Sequence, residues 1–284
     1  MGGEDVYENK FVMKFSVLSW NIEHFNGESS RLAKVAAHIK ADNPDIFGLL
    51  EIEKVSVLEL LEKHFPEYDF GMTDGPEVQE ILVGWRRAKF LQAVFTQKRE
   101  FKAYNPALRP GALLSVRLGQ EFWNLLFLHT DSGTDAPAFG NRAEMFGKIW
   151  KVREALRKRA GEAGGRLLVL GDLNTMGLQF PSRRVADRLV SGGKEVEALR
   201  AFAGEAGMYV AEKSHDATYG GVALSDLDHL LATKKVKLRQ LGQRPDRRDF
   251  HVRVRGWQQL NGSARKTFIE TVSDHCSLYA EVEG

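Results

Sequence analysis

Nine short apolar runs, most of them ending beside an acid, an amide or an imidazole, constrain this chain more than any other feature. They read as strands at "FSVLSWNI" (15–22), "DIFGLLEI" (45–52), "ILVGWR" (81–86), "ALLSVRL" (112–118), "FWNLLFLHT" (122–130) and "RLLVLGDL" (166–173). "LDHLLAT" (227–233), "FHVRV" (250–254) and "SLYAEVE" (277–283) complete the set. Several runs are apolar at every position, as in a sheet covered on both faces. Helical patterns interrupt them irregularly. In 30–40, Leu32, Val35, Ala36 and Ile39 keep the spacing of one helix face, with Ser29 or Ser30 as the cap. In 142–160, Met145, Ile149, Val152 and Leu156 form one stripe, and 55–64 and 195–206 also fit helices. Some strands are thus joined by helices and others by hairpin-length gaps, which implies mixed sheets in a layered α/β domain.

Composition narrows the function classes. The 284 residues are 43% hydrophobic and 27% charged, with a net charge of +2, an ordinary globular balance. No apolar run is long enough to span a bilayer, so membrane insertion is not expected. The polar start "MGGEDVYENK" lacks a signal-peptide core. One cysteine, Cys276, excludes an internal disulfide and a CxxC zinc site and suits a small buried residue. A cytoplasmic monomer is the default expectation. Residues 1–13 read as an N-terminal extension and 14–284 as one domain.

The strand ends carry the chemistry. Apolar runs stop at "WNIE" (Asn21, Glu23), "LLEIE" (Glu51, Glu53), "LHTDSG" (His129, Asp131) and "GDLN" (Asp172, Asn174). "DLDH" (Asp228, His229) and "SDHC" (Asp274, His275) belong with them. A turn accounts for one such end, but not for this inventory spread along most of the chain. Strand ends open onto loops, where α/β proteins build their sites. Glu51 and Glu23 offer hard oxygen ligands, so Mg²⁺ or Mn²⁺ suits the set better than Zn²⁺. Asp172 has the chemistry to orient or deprotonate water, and Asn174 to hold it in line. An imidazole whose tautomer is fixed by a carboxylate can donate to a phosphate oxygen. A metal, a water and an anionic ester are what such a site asks for.

The succession "WNIE", "PDIFGLLEIE", "LHTDSG", "GDLN", "LDH" and "SDHC" resembles the endonuclease/exonuclease/phosphatase superfamily, from about Phe15 to Glu283. The resemblance implies an α/β fold, a four-layer α/β/β/α sandwich of two mixed, mostly antiparallel sheets with outer helices. It implies Glu51 as principal metal ligand, with Glu23 and Asp274 as acids on the metal side. Asn21, Asp172 and Asn174 then surround the phosphate and the water. His275 contacts phosphate and Asp228 orients it. His129 stands where deoxyribonuclease I has a histidine, Glu80 in "QEILVGWR" matches the glutamate that pairs with it, and Arg109 matches a phosphate-contacting arginine. Leu50 departs from the family's usual glutamine before the metal-binding glutamate. Glu53 and His229 extend their motifs without a family role.

The implied activity is a Mg²⁺- or Mn²⁺-dependent phosphodiesterase. The basic stretch 234–255 holds nine Lys/Arg against two Asp, a net of +7 in a chain of net +2. Such a stretch points to a phosphate backbone, and so to a nuclease acting on DNA or RNA, with Arg244, Arg247 and Arg248 as phosphate contacts. Trp257 could stack a base or simply pack. The alternatives are a phosphatase or phosphodiesterase on a small or lipid phosphate ester, and a catalytically idle binding module.

Overall fold

The computed structural model describes residues 14–75, 79–102, 105–161, 165–179 and 190–283; the extension expected over 1–13 lies outside them. Two large mixed sheets form among the described residues, one of seven strands and one of six. In chain order the strands are β1 (Lys14–Phe25), β2 (Ile46–Ile52), β3 (Tyr68–Met72), β4 (Glu80–Arg86), β5 (Gln92–Lys98) and β6 (Gly111–Leu118). There follow β7 (Glu121–His129), β8 (Leu167–Asp172), β9 (Met208–Val210) and β10 (Asp228–Thr233). The last three are β11 (Lys237–Leu238), β12 (Val252–Arg255) and β13 (Ser277–Glu283). The first sheet runs β11-β13-β1-β2-β4-β3, with β12 also on β13, and the second runs β9-β10-β8-β7-β6-β5.

Each sheet has one parallel pair, β1 with β2 and β7 with β8, and is otherwise antiparallel. A parallel pair needs a crossover, and a helix supplies it both times. Helix α1 (Ser29–Asp42) links β1 to β2, and α3 (Ala136–Ala160) links β7 to β8. The others are α2 (Ser56–His64), α4 (Gly192–Glu205) and α5 (Gly262–Thr271).

Three buried clusters define four layers. Val17, Leu50, Val83, Leu114, Trp123, Phe127, Leu170 and Leu230 pack between the sheets. Leu32, Val35 and Ile39 of α1 cover the outer face of the first sheet, and Met145, Ile149 and Val152 of α3 that of the second. The sheets approach closely at Gly48, where a Cβ would lie 2.2 Å from the Phe127 ring. The expected sandwich is therefore the observed one.

Local departures have physical causes. The cap of α1 is Glu28, whose carboxylate accepts from the amides of Ser30 and Arg31, rather than Ser29 or Ser30. Helix α3 starts at Ala136, ahead of the expected 142, because Asp135 caps it and Pro137 fits the first turn. The run at 250–254 splits into Asp249–Phe250 and β12.

Candidate functional site

Strand irregularities aim the polar residues. Between β1 and β2 the register passes from Asn21↔Leu50 to Phe25↔Ile52, so four steps on β1 oppose two on β2. Between β2 and β4, three steps from Leu49 to Ile52 oppose two from Leu82 to Glu80. These bulges leave Glu23 and His24 at φ 46° and Glu51 at φ 65°, a left-handed region that costs non-glycine residues energy. Gly171, one residue before Asp172, has φ 141°, and a Cβ there would sit 1.9 Å from the Leu128 carbonyl oxygen. Only glycine fits the approach that carries Asp172 alongside His129.

The strand ends converge on a cleft of about 280 Å³. Glu23, Glu51, Arg109, His129, Asp172, Asn174, Asp274 and His275 line it, so most of the expected residues meet in one place. Asn21 lies buried beneath and ties two of them together: its Nδ2 donates to Glu51 Oε1 (2.9 Å) and to Asp172 Oδ2 (3.0 Å). Asp172 Oδ1 accepts the Asn174 amide (3.0 Å), and Asn174 Nδ2 donates to the Thr130 carbonyl (3.1 Å). His275 Nδ1 donates to Asp228 Oδ2 (2.8 Å), while its Nε2 stands 3.7 Å from Asp172 Oδ2. His129 Nε2 lies 3.6 Å from Glu51 and 3.7 Å from Asp172.

Burial and charge set the protonation states. Burial drives the Asp172 carboxyl up to about 7; the His275 cation opposes this and the Asp228 charge adds to it. Burial disfavours a charged His275, yet Asp228 and Asp172 overcome it and hold the imidazolium up to about 10. Burial, then the charges of Arg109, His275 and His24, push His129 well below the usual histidine range, so it is neutral. Burial lifts Asp274 to about 6 against the pull of His275, with Glu23 and Glu51 adding to the rise.

Two cationic clamps fix the loops. Arg31 donates to the carbonyls of Ile22, Glu23 and Val272, joining the loop after Asn21 to the one before Asp274. Arg142 is fully buried against Glu195 (2.8 Å) and also donates to the carbonyls of Gly133 and Gly177. Glu195 accepts the Gly177 amide in return (2.6 Å), so the loops after β7 and β8 share one network.

Some expectations are corrected. Glu80 does not pair with His129: Thr73 and the Gly75 amide occupy its two oxygens, and His129 Nδ1 is buried without a hydrogen bond. Arg244 is clamped by Asp216 (2.6 and 2.8 Å) and Arg248 by Asp246 (2.7 Å), and neither they nor Arg247 line the cleft. Arg239 pairs with Glu281, and Arg253 and Arg255 with Asp42, so local acids answer much of the +7 stretch. Trp257 stacks no base; it is fully buried and its indole N–H donates to the Asp274 carbonyl (2.8 Å). Glu53 holds His24 Nδ1 (3.1 Å), and buried His229 meets Thr175 (2.9 Å).

Six cleft residues were missed from sequence: His24, Gln79, Ser132, Met176, Tyr219 and Leu227. His24 follows Glu23 directly and was within reach of the motif. Tyr219, whose ring centroid lies 5.1 Å from that of His275, carries no local signal.

The sequence profile of the "Endonuclease/Exonuclease/phosphatase family" matches residues 18–275. The chain belongs to that family. It is accordingly a phosphoric ester hydrolase, and the family generally uses a divalent metal. Among solved structures this family member is similar to truncated TDP2 of Caenorhabditis elegans, with TM-score 0.64 and 21% identity, over 95% of this chain and 98% of that one. It is similar to D. rerio TDP2 complexed with a single-strand DNA product at TM-score 0.61 and 17% identity, over 95% and 99% of the two chains. ANGEL2, a 2′,3′-cyclic phosphatase in complex with adenosine-2′,3′-vanadate, gives TM-score 0.64 and 12% identity over 96% of each chain. At these identities the likeness is one of fold. No curated protein sequence matches this chain. No helix among the described residues is long and apolar enough to cross a membrane.

Proposed function

We propose that this chain hydrolyses phosphodiesters with Mg²⁺ or Mn²⁺ and that its substrate is a nucleic acid. The observation that carries the hydrolytic reading is the setting of Asp172. Both its oxygens are held by amides, from Asn21 and Asn174, and two imidazole Nε2 atoms face it at 3.7 Å. A carboxylate pushed to about 7 is matched to taking a proton from water near neutral pH. Asn174 spends its Nδ2 on Thr130, which leaves Oδ1 to accept from the same water. His275, cationic against Asp228, donates to a phosphate oxygen and stabilises the charge that grows there.

Donor chemistry supports a cation beside Glu51. Asp274 Oδ1 is buried without a hydrogen bond, and the Glu23 and Glu51 charges that raise Asp274 lie nearby. Glu51, Glu23 and Asp274 are the residues that would hold the ion. When bound, it neutralises phosphate and leaving-group oxygens. Asp172, Asp228 and His275 also offer donor atoms within 4.8 Å of one another. There the 2.8 Å contact between His275 and Asp228 has the length of a charge-assisted hydrogen bond, which supports an orienting pair rather than a second metal position.

The match over 18–275 supports reading the chain from residue 14 as one catalytic domain. The likeness to ANGEL2 keeps one second reading, a small cyclic phosphate ester. The test is incubation with plasmid, single-stranded DNA, RNA, a 2′,3′-cyclic nucleotide and a phosphomonoester, each with Mg²⁺, with Mn²⁺ and with EDTA. Metal-dependent cleavage of strands is the expected result. Turnover of the cyclic nucleotide alone would replace the substrate, and full turnover in EDTA would end the metal mechanism.

A further inference from the structure

The basic surface that best fits a strand is assembled from segments the sequence keeps apart. Helix α3 covers the outer face of the second sheet over β7 and leaves β5 and part of β6 bare, with Val94 and Thr96 exposed. A groove of about 550 Å³ runs along this gap over Leu113, Val152 and Leu156, rimmed by Lys98, Lys148, Lys151 and Arg159. It shares Glu100 and Lys148 with a second depression of about 440 Å³ that includes Arg99 and Lys102. Those two cations also line a third, of about 440 Å³, with Gly75, Gln97 and one acid, Asp74. A Cβ on Gly75 would sit 3.4 Å from Pro110, the neighbour of Arg109 in the catalytic cleft. The depressions therefore follow one another from the far turns of α3 to Gly75, which lies beside the segment that carries Arg109 to the cleft.

The charge of that path is open for use. Glu100 engages Lys98 (2.8 Å) and Glu144 engages Lys148 (3.2 Å). Among the described residues no acid lies within ion-pair distance of Arg99, Lys102, Lys151 or Arg159, unlike Arg244 and Arg248 in the 234–255 stretch. From Lys148 to Arg159 the helix rises roughly 16 Å, which spans about five phosphates of one B-form strand at about 3.4 Å each.

We infer that Arg99, Lys102, Lys151 and Arg159 form a track that holds the phosphate backbone of a nucleic-acid strand entering or leaving the cleft, with bases over the apolar floor. This rests on the nuclease reading for its purpose, but its binding test does not need turnover. The probe is a fluorescein-labelled 24-nucleotide single strand, followed by anisotropy in EDTA across a salt series. The variants are Arg99→Gln/Lys102→Gln/Lys151→Gln/Arg159→Gln and, as a control, Arg244→Gln/Arg247→Gln/Arg248→Gln.

The track variant should flatten the slope of log K against log salt by up to about 2.8, at about 0.7 per lost contact, and the control should leave it unchanged. With Mg²⁺, the track variant should cleave the strand less efficiently while hydrolysing bis(p-nitrophenyl) phosphate like wild type. Equal slopes for wild type and track variant would overturn the track, as would loss of slope in the control alone. Poly-glutamate competing as well as the strand would also overturn it, since that marks a surface for acidic protein. A slope change without cleavage of the strand would leave the track standing and sink the nuclease reading.

Discussion

Replacing Asp172 with Asn tests the proposed base most directly. The carboxylate accepts from Asn21 and from the Asn174 amide, at 3.0 Å each. In Asp172→Asn one of those oxygens becomes an NH₂ facing a donor, which costs about 1–3 kcal/mol of stability. Circular dichroism should therefore still show a folded protein at 20 °C. The loss of a general base should lower kcat about 10²–10⁴-fold, or about 3–5 kcal/mol of barrier, with little change in KM. Burial raises the Asp172 carboxyl to about 7, so wild-type kcat should show a limb that rises with pH as Asp172 ionises. A bound cation shifts that limb to lower pH, because positive charge favours the carboxylate. The assay is kcat from pH 5 to 9 at saturating and at limiting Mg²⁺. A variant within tenfold of wild type, or one that keeps the rising limb, would refute the assignment.

Glu51→Gln should raise the Mg²⁺ concentration needed for half-maximal activity; an unchanged metal titration would remove Glu51 from the metal site. His275→Ala should lose rate, and adding Asp228→Ala should cost little more, because Asp228 acts through the 2.8 Å bond to His275; strictly additive losses would show the pair is misassigned. His38 is held neutral, its pKa lowered to about 3 by burial and then by Arg255. A depressed pKa gives stability that is present above the unfolded value and lost as pH falls, so urea unfolding should show about 3 kcal/mol less stability at pH 4 than at pH 7. His38→Gln should flatten that slope, and an unchanged slope would place the acid sensitivity elsewhere.

The central strands were legible because they are apolar on both faces, and β1, β2, β4, β6, β7, β8, β10 and β13 all fall close to the runs read from sequence. The strands that were missed, β3, β5, β9 and β11, are the outermost members of their sheets. An edge strand packs on fewer neighbours and carries polar residues, as in "QAVFTQK", so its pattern is weak. Helix α5 has no fully buried residue and gave no apolar stripe to read.

The sequence by itself determined which polar residues gather at the cleft, because strand ends that interrupt apolar runs with Asn, Glu, Asp and His are informative locally. Partnership was decided only in three dimensions. Glu80 looked like the companion of His129 until Thr73 and Gly75 took its oxygens, and the densest basic stretch turned out to face Glu212, Asp216, Glu281 and Asp42. Charge counted along a chain ignores the acids that folding brings across it. Four cations with no such acid among the described residues, at 99, 102, 151 and 159, come together only because α3 lies over part of a sheet and leaves its edge open.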